Sequence, residues 1–421
     1  MKKFTSSIVL FAALLLSPAA IYSAQQKFFY RAGPYETEPH FERNCLSTFK
    51  FDIMGGESTK GYNGNGNSTD IFNIYGWANA KAWAVGAILD PASSEYNADL
   101  AALLIASPNP DGTFAELRYK GKFTFFQFDL YWAQNFCKGF FFDINLPVQR
   151  LNSTDISYVD ETSASNAGSI EWRTVKANLD EIYDQYGLSA GPYVHTGLGD
   201  MRTMLGWTIN HEDMENLDFF DATIKIGVSI PTAKKKNINY IFSVPGGYNG
   251  HVGIPITFDM ALGMYEWFTL GAHIEGMFFN KKTQTIRMYT SVEQSGPVKL
   301  LEGQAKYDMG ALWDIGVYAK ADHIFKGLSL FFGYTYSNKD TDTVTPQNTS
   351  LFPIVAANND PALAGWKRQD ISIRVEYDFA QEGRRYNPVV GLFYNMPVAG
   401  KYIFRTYTVG GDVALNCIWD F

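Results

Sequence analysis

The sequence predicts an all-β fold, a transmembrane antiparallel β-barrel of about 14 strands, with counts from 12 to 16 compatible with the pattern. Apolar and polar residues alternate with a period of two over many segments of ~10 residues, the length of a tilted strand that crosses a bilayer. The connections between these segments alternate between short and long, as periplasmic turns and outer loops do in such barrels. The chain also begins with an export signal.

The first residues have the three parts of a secretion signal. Lys2 and Lys3 precede an apolar run at 8–16, and small residues follow it. We therefore assign residues 1–24 to a signal peptide, 25–46 to an N-terminal periplasmic segment and 47–421 to the barrel. Retention of the first segment as a membrane anchor is the alternative, but its apolar run is short for a membrane span.

The composition fits a membrane barrel and excludes other classes. Aromatic residues make up 16% of the chain, with 32 Phe and 25 Tyr, which suits strands and the girdles at membrane interfaces. After the signal, no stretch approaches the ~18 consecutive apolar residues of a membrane helix. A net charge of -8 disfavours a nucleic-acid partner. No Cys/His spacing indicates a metal site, and we expect no cofactor.

Alternation or turn signals define each predicted strand. In order, these strands are 47–54, 71–77, 114–120, 126–135, 140–149, 201–210, 222–230, 252–264, 268–275, 306–320, 328–337, 371–379, 390–396 and 411–421. The second and third are weakly patterned. Residues 78–111 are expected to form a periplasmic excursion or a plug inside the barrel, and 151–200 a long outer loop with a short helix.

The last strand ends the chain on aromatic residues. Val413 and Leu415 lie on one face and Asp412 on the other. This ending resembles the terminal strand of bacterial outer-membrane barrels, whose assembly machinery reads a C-terminal Phe. The resemblance implies that Trp419 and Phe421 form the assembly signal and that the protein resides in the outer membrane.

Two cysteines flank the seam where the first and last strands must meet. Cys45 and Cys417 could form a disulfide there, or remain buried or lipid-facing thiols. The three cysteines of the chain are too few for a disulfide scaffold.

Charged residues recur on the polar face of the predicted strands. In a membrane barrel they must face the lumen, because Lys or Arg at the lipid midplane costs ~2–4 kcal/mol. The candidate pore-lining residues are Lys225, Asp259, His273, Glu275, Lys306, Asp308, Asp314, Lys320, Arg374, Glu376 and Asp378. They indicate a polar channel wall, and a lumen filled with salt bridges is the alternative.

Val175, Leu179 and Ile182 in the third outer loop recur at helical spacing. The loop resembles the third loop of general porins, which folds into the lumen as a constriction. That resemblance would make its acids a cation-selective filter. The constriction candidates are Glu171, Asp180, Glu181 and Asp184. A helix on the barrel rim is the alternative.

Two short segments resemble another group of 14-stranded barrels, those related to the long-chain fatty-acid transporters. They are 226–232, with a G-x-x-x-P-T strand end, and 197–202. The chain departs from that group in lacking an obvious N-terminal hatch motif. The resemblance implies uptake of hydrophobic compounds.

These features predict a porin-like channel for passive diffusion of small solutes, with hydrophobic-compound uptake as the alternative and a structural or host-contact surface protein as the third hypothesis. Catalysis is not expected, because His273 and Glu275 share a face without a nucleophile motif. The expected partners are small solutes, outer-membrane lipid and lipopolysaccharide, and the barrel-assembly machinery. The sequence leaves open whether the barrel forms a homotrimer. Lys234, Lys235 and Lys236 either contact lipopolysaccharide phosphates or belong to a solvated loop.

Overall fold

A computed structural model describes residues 26–33, 35, 45–89, 96–214, 217–325, 327–379 and 386–419. The predicted signal peptide and Phe421 lie outside these ranges. The strands are β1 (Cys45–Ser58), β2 (Lys60–Tyr62), β3 (Ser68–Asp70), β4 (Ala78–Asn79), β5 (Glu116–Cys137), β6 (Phe140–Asp160), β7 (Tyr193–Leu198), β8 (Met201–Met214), β9 (Leu217–Ile230), β10 (Gly253–Met264), β11 (Phe268–Phe279), β12 (Lys282–Arg287), β13 (Glu302–Asp308), β14 (Leu312–Phe325), β15 (Leu328–Lys339), β16 (Thr343–Pro346), β17 (Lys367–Asp378), β18 (Tyr386–Lys401), β19 (Ile403–Phe404) and β20 (Tyr407–Trp419). The helices are α1 (Ala80–Leu89), α2 (Asn97–Ile105), α3 (Ile170–Ala177), α4 (Leu179–Gln185) and α5 (Ile354–Asn358), with a 3-10 turn at Ile71–Asn73.

Within the described residues, 12 strands close into an antiparallel barrel. Their order around the wall is β1, β5, β6, β8, β9, β10, β11, β14, β15, β17, β18 and β20. The last strand returns to pair with the first, with Phe51 opposite Val413. Since the terminal strands pair, the wall has no free edge. The predicted fold class, a transmembrane antiparallel β-barrel, is confirmed.

The closed wall has 12 strands rather than about 14, and the two weakly patterned segments explain the difference. The segment 71–77 begins with the 3-10 turn and forms no wall strand. The segments 114–120 and 126–135 belong to one strand, β5, which is 22 residues long. β5 continues beyond the apolar band, so its outward face changes from Phe126 to Lys122 and interrupts the alternation.

The predicted strand 306–320 is also divided. Its first residues belong to β13, which forms a separate outer sheet with β12 and β16. The wall strand β14 begins only at Leu312. Lys306 and Asp308 therefore lie outside the barrel wall.

Short connections gather at one end of the barrel and long connections at the other. Lys138 and Gly139 between β5 and β6 both have positive φ, of 56° and 82°, which closes a tight type I′ hairpin. Residues 59–115 join the opposite ends of β1 and β5. The described residues of this stretch, 78–89 and 96–111, therefore lie with the long connections, and not at the short-turn end or in the lumen as predicted.

The barrel is apolar outside and polar inside. Outward residues such as Leu205, Ile224 and Ile256 are exposed, whereas inward residues such as Arg202 and Lys225 are buried. The large buried apolar cluster is found instead among the long connections, where Trp83 of α1 and Trp172 of α3 pack.

The seam does not bring the two cysteines into register. Cys45 pairs with Trp419, and Cys417 pairs with Ser47. Cys417 is buried. The two positions are thus offset by two residues in the register of the seam.

Candidate functional site

A cavity of about 650 Å³ lies among the long connections at the outer end of the barrel. Its walls come from the loop 231–252, from β12, and from the segments before and after β16. Its floor includes Phe28 and Phe29 of the N-terminal segment. A cavity of this size is within the ~300–1,000 Å³ typical of small-molecule sites.

Most of the cavity wall is apolar. Aromatic and long aliphatic side chains contribute, including Phe28, Phe72, Phe242, Met288, Leu363 and Trp366. Several are buried, with Phe72 and Phe242 in ring contact at a centroid distance of 4.5 Å. Such a wall binds hydrocarbon by removing it from water.

The charged part of the wall is predominantly basic. Six basic and two acidic side chains are among the described residues that line the cavity. Lys299 pairs with Asp360, and Lys339 pairs with Asp342. Arg287 donates to the backbone carbonyl of Ile238 at 2.7 Å. The two acids are thus already neutralised by neighbouring lysines.

Lys236 has no ion-pair partner among the described residues. Its side chain is exposed, but to the cavity, which is enclosed by protein. Partial burial, with repulsion from Lys299, lowers the pKa of the Lys236 amine to about 8, although Asp360 opposes the shift. An ammonium in this setting favours an anion beside it.

The N-terminal segment, 26–33 with Tyr35, lies inside the barrel rather than in the periplasm. Tyr30, Ala32 and Tyr35 are almost fully buried. The hydroxyls of Thr406 and Thr408 donate to the carbonyls of Tyr30 and Ala32, at 2.7 and 2.8 Å. This segment was predicted to lie in the periplasm, because the alternation of apolar and polar residues along strands carries no information about which residues fill the lumen.

Tyr35 is seated in a socket on the barrel wall. Its hydroxyl is 3.0 Å from Nδ1 of His273, whose Nε2 is 2.8 Å from a carboxylate oxygen of Asp314. Its ring lies against Gly316 and Gly333, where any Cβ would approach ring carbons to 2.7 Å. These glycines are needed because the ring occupies the space of a side chain.

Lys27 fixes the same segment electrostatically. Its Nζ lies 3.2 Å from Oδ2 of Asp314, whose side chain is 1% exposed. One carboxylate on β14 thus contacts both Lys27 of the segment and His273 of the wall, so the N-terminal segment closes this part of the lumen.

Most of the predicted pore-lining residues do face inward, where they form buried ion pairs. Arg202 pairs with Glu275 at 2.9 Å, with both side chains at most 2% exposed. Arg374 bridges Asp412 and Glu376, each at 2.7 Å. The inward set comprises Lys225, Asp259, His273, Glu275, Asp314, Lys320, Arg374 and Glu376. Seven of the eight, all but Lys320, are buried in the described part of the structure, so they are not hydrated as the wall of an open water channel would be.

The remaining predicted site residues lie elsewhere. Lys306 and Asp308 belong to the outer sheet, and Asp378 lies at the short-turn end. The helices α3 and α4 pack by their apolar side against the outer cluster. Their acids Asp180, Glu181 and Asp184 are exposed and Glu171 bonds to Ser169, so these four form no constriction here. Trp419 ends β20, and Phe421 is outside the described residues.

The two segments with the fatty-acid-transporter resemblance meet in space. The Thr232 hydroxyl donates to the carbonyl of Gly199 and accepts from the backbone N–H of Met201, at 2.5 and 2.9 Å. The Asp200 carboxylate accepts from the N–H groups of Ala233 and Tyr248, at 3.0 and 2.6 Å. This junction holds both ends of the loop that carries Lys236.

A closed wall that is apolar outside and ionic inside inverts the arrangement of a soluble protein. It matches a barrel whose exterior is lipid. The chain folds as a transmembrane antiparallel β-barrel. None of the helices in the described ranges is long and apolar enough to cross a membrane.

No protein-family model and no curated protein matches the sequence. Among solved structures, the barrel is similar to an outer membrane channel from Pseudomonas putida F1, at 7% identity and TM-score 0.47, covering 91% of this chain and 100% of that chain. It is also similar to a Pseudomonas aeruginosa FadL homologue, at 10% identity and TM-score 0.30, covering 90% of each chain. It is similar as well to the Pseudomonas putida toluene transporter TodX, at 8% identity and TM-score 0.32, covering 90% of each chain. At such low identities and TM-scores, we draw no conclusion about substrate from these proteins.

Sequence reasoning missed the cavity and the lumen segment. The lysine run at 234–236 was predicted to contact lipopolysaccharide or solvent, and the structure places Lys235 and Lys236 at the cavity. The aromatic run Phe28, Phe29 and Tyr30 was a usable signal, since three aromatic residues in an irregular segment need a surface to pack against.

Proposed function

We propose that this barrel takes up small amphipathic molecules that combine an apolar body with an anionic group, and that the outer cavity captures them. The observation that carries the proposal is Lys236, an ammonium without an ion-pair partner among the described residues, in a largely apolar cavity. The cavity wall would bind the body, and Lys236 would orient the anion.

The charge balance supports an anionic rather than a neutral ligand. The chain as a whole has a net charge of -8, yet basic side chains outnumber acidic ones around the cavity. A neutral hydrocarbon would displace water from Lys236 and leave its charge without compensation, which is unfavourable. A carboxylate, sulfonate or phosphate group would provide that compensation.

The floor of the cavity connects capture to the lumen. Phe28 and Phe29 line the cavity, and Tyr30 and Tyr35 of the same segment are buried in the barrel. A ligand that enters the cavity would therefore contact the segment that closes the lumen.

The test compares dodecanoate with dodecanol, which share an apolar chain and differ in charge. Binding to the protein in lipid nanodiscs is measured by calorimetry, with Lys236→Met as the variant. We expect dodecanoate to bind the variant at least about tenfold more weakly, because the variant lacks one charge-assisted hydrogen bond to the carboxylate. Dodecanol binding should be unchanged.

Lys234→Met is the matched control, because Lys234 belongs to the same loop and does not line the cavity. Its affinity for dodecanoate should equal that of the wild type. If the wild type binds dodecanoate and dodecanol equally well, the proposal for an anionic group is wrong. If neither binds, the capture function itself is wrong.

The charged lumen supports a second candidate, diffusion of small hydrophilic solutes when the N-terminal segment leaves. A hydrated row of acids and bases, such as Arg374, Glu376 and Lys320, suits ions and small polar solutes better than hydrocarbon. Single-channel conductance in a planar bilayer tests it. Steady openings with an ion preference would favour this candidate, and a folded but silent barrel would contradict it.

A further inference from the structure

Two lysines lie side by side on the lipid-facing side of the wall. Lys367 begins β17, Lys401 ends β18, and the two are direct partners in the antiparallel register. The neighbouring Arg368 and Asp370 point inward and are buried, whereas Lys367 is exposed. Directly opposed residues have Cβ atoms ~5 Å apart, so the two side chains leave the wall from one small area. The Lys401 ammonium lies 5.3 Å from the centre of the Tyr402 ring.

This area lies just beyond the apolar band of the same two strands. Nearer the middle of the wall, the outward side chains Ile373, Leu392 and Tyr394 are exposed to lipid. Between them and the lysines, the hydroxyl of Tyr334 donates to Oε1 of Gln369 at 2.9 Å. Tyrosines at this depth mark the membrane interface.

The lysine pair is at the end of the long connections, opposite the short turns. In outer-membrane barrels the short turns face the periplasm. Lys367 and Lys401 are therefore at the level of the headgroups in the outer leaflet.

No acidic side chain among the described residues forms an ion pair with either lysine. Asp370 pairs with Arg368 at 2.8 Å on the inner face, and Asp340 accepts from the Asn338 amide at 3.1 Å. Like charges in direct cross-strand register destabilise a sheet. An anion placed between the two ammonium groups would remove this repulsion.

Two other exposed lysines, one on β5 and one in the connection after β11, differ in this respect. Lys122 pairs with Glu57 at 2.6 Å, and Lys281 pairs with Asp308 at 2.6 Å. The lysine pair of β17 and β18 has no such acidic partner among the described residues, and it lies at the lipid boundary of the wall.

We propose that Lys367 and Lys401 bind a phosphate group of lipopolysaccharide in the outer leaflet, with the acyl chains of that lipid against Ile373 and Leu392. Lysine binds phosphate as a point charge, and a site of two such charges needs no fixed fork geometry. This lipid site is on the outside of the wall and is independent of the outer cavity and its proposed ligand.

The test measures binding of diphosphorylated lipid A to the purified, folded protein by native mass spectrometry. The variant combines Lys367→Gln with Lys401→Gln. We expect its affinity for lipid A to fall about tenfold or more, and the wild-type affinity to fall as salt is added. Fully dephosphorylated lipid A should bind the wild type as weakly as lipid A binds the variant.

A matched control combines Lys122→Gln with Lys281→Gln, which removes the same charge from the two paired lysines. Its affinity for lipid A should stay within about twofold of the wild type, since screening limits long-range charge effects. Heat-modifiable gel mobility verifies that each variant forms the barrel. In lipid-free detergent, the Lys367/Lys401 variant should melt at or above the wild-type temperature, because it loses a repulsion.

The proposal is overturned if the Lys367/Lys401 variant binds lipid A as the wild type does. It is also overturned if dephosphorylated lipid A binds equally well, or if the control variant loses as much affinity. The last result would mean that only the total charge of the surface matters.

Discussion

Substituting Gly333 by alanine should release the N-terminal segment from the lumen. A Cβ at Gly333 would lie 2.7 Å from Cδ2 and 2.9 Å from Cγ of Tyr35. The wall strand is hydrogen-bonded on both sides, to β14 and β17. The ring of Tyr35 must therefore move, because it is held by a socket and not by a sheet.

The size of the effect follows from this overlap. Carbon atoms pack at about 3.5 Å or more, so the ring must retreat by about 0.8 Å. Overpacking of this kind costs about 1–3 kcal/mol. At about 1.4 kcal/mol per factor of ten, the undocked population of the segment should rise about 5- to 150-fold.

Thiol labelling measures that population. Ala32→Cys is introduced into a variant without the three native cysteines, and Ala32 is fully buried when the segment is docked. If docking and undocking are fast relative to the chemistry, the labelling rate is proportional to the undocked fraction. We expect Gly333→Ala to raise this rate by the factor above.

Gly206→Ala is the matched control, since the three atoms nearest to a Cβ there all belong to the Phe141 ring, the first at 2.2 Å. It creates a comparable clash under an aromatic ring of the wall, and its labelling rate at position 32 should remain near the wild-type value. Equal rates for Gly333→Ala and Gly206→Ala would refute the socket, because the effect would then come from a weakened wall.

Three further predictions address other parts of the protein. Dodecanoate affinity should fall between pH 7 and pH 9, because the lowered pKa of Lys236, about 8, removes its positive charge within that range; a titration of Lys236→Met should lack this step. Arg202→Met should lower the free energy of unfolding in detergent by about 3–5 kcal/mol, since it leaves Glu275 buried without its ion-pair partner. Lys281→Met, at an exposed ion pair, should lower it by less than about 1 kcal/mol. Equal losses for the two variants in urea titrations would contradict the buried pairing. Non-reducing peptide mass spectrometry should detect no link between Cys45 and Cys417, because the seam register offsets them by two residues, and a linked peptide would show the register to be wrong.

The exterior of the barrel was predictable because its information is local. Each wall strand such as β9 or β10 alternates one apolar and one polar residue, and a lipid exterior requires that alternation whatever the neighbouring strands are. The parity of short and long connections was likewise predictable, since antiparallel neighbours must reverse at every turn. The strand count was harder, because β5 continues past the membrane and its outward face turns charged at Lys122.

The contents of the lumen and the candidate site depended on contacts between distant residues. The amide of Gln26 donates to the carbonyl of Asp200, and Tyr35 meets His273, although nothing in the pattern around Gln26 or Tyr35 identifies these partners. The same polar face is compatible with a hydrated channel or with packed ion pairs, and only the side chains across the barrel decide between them. The surroundings of Lys236 could not be predicted from the sequence either, because its charged neighbours Lys299 and Asp360 come from separate outer loops. The sequence by itself determined a membrane barrel through local periodicity, whereas the closed lumen and the basic cavity were decided by tertiary packing, which brings together segments that share no local pattern.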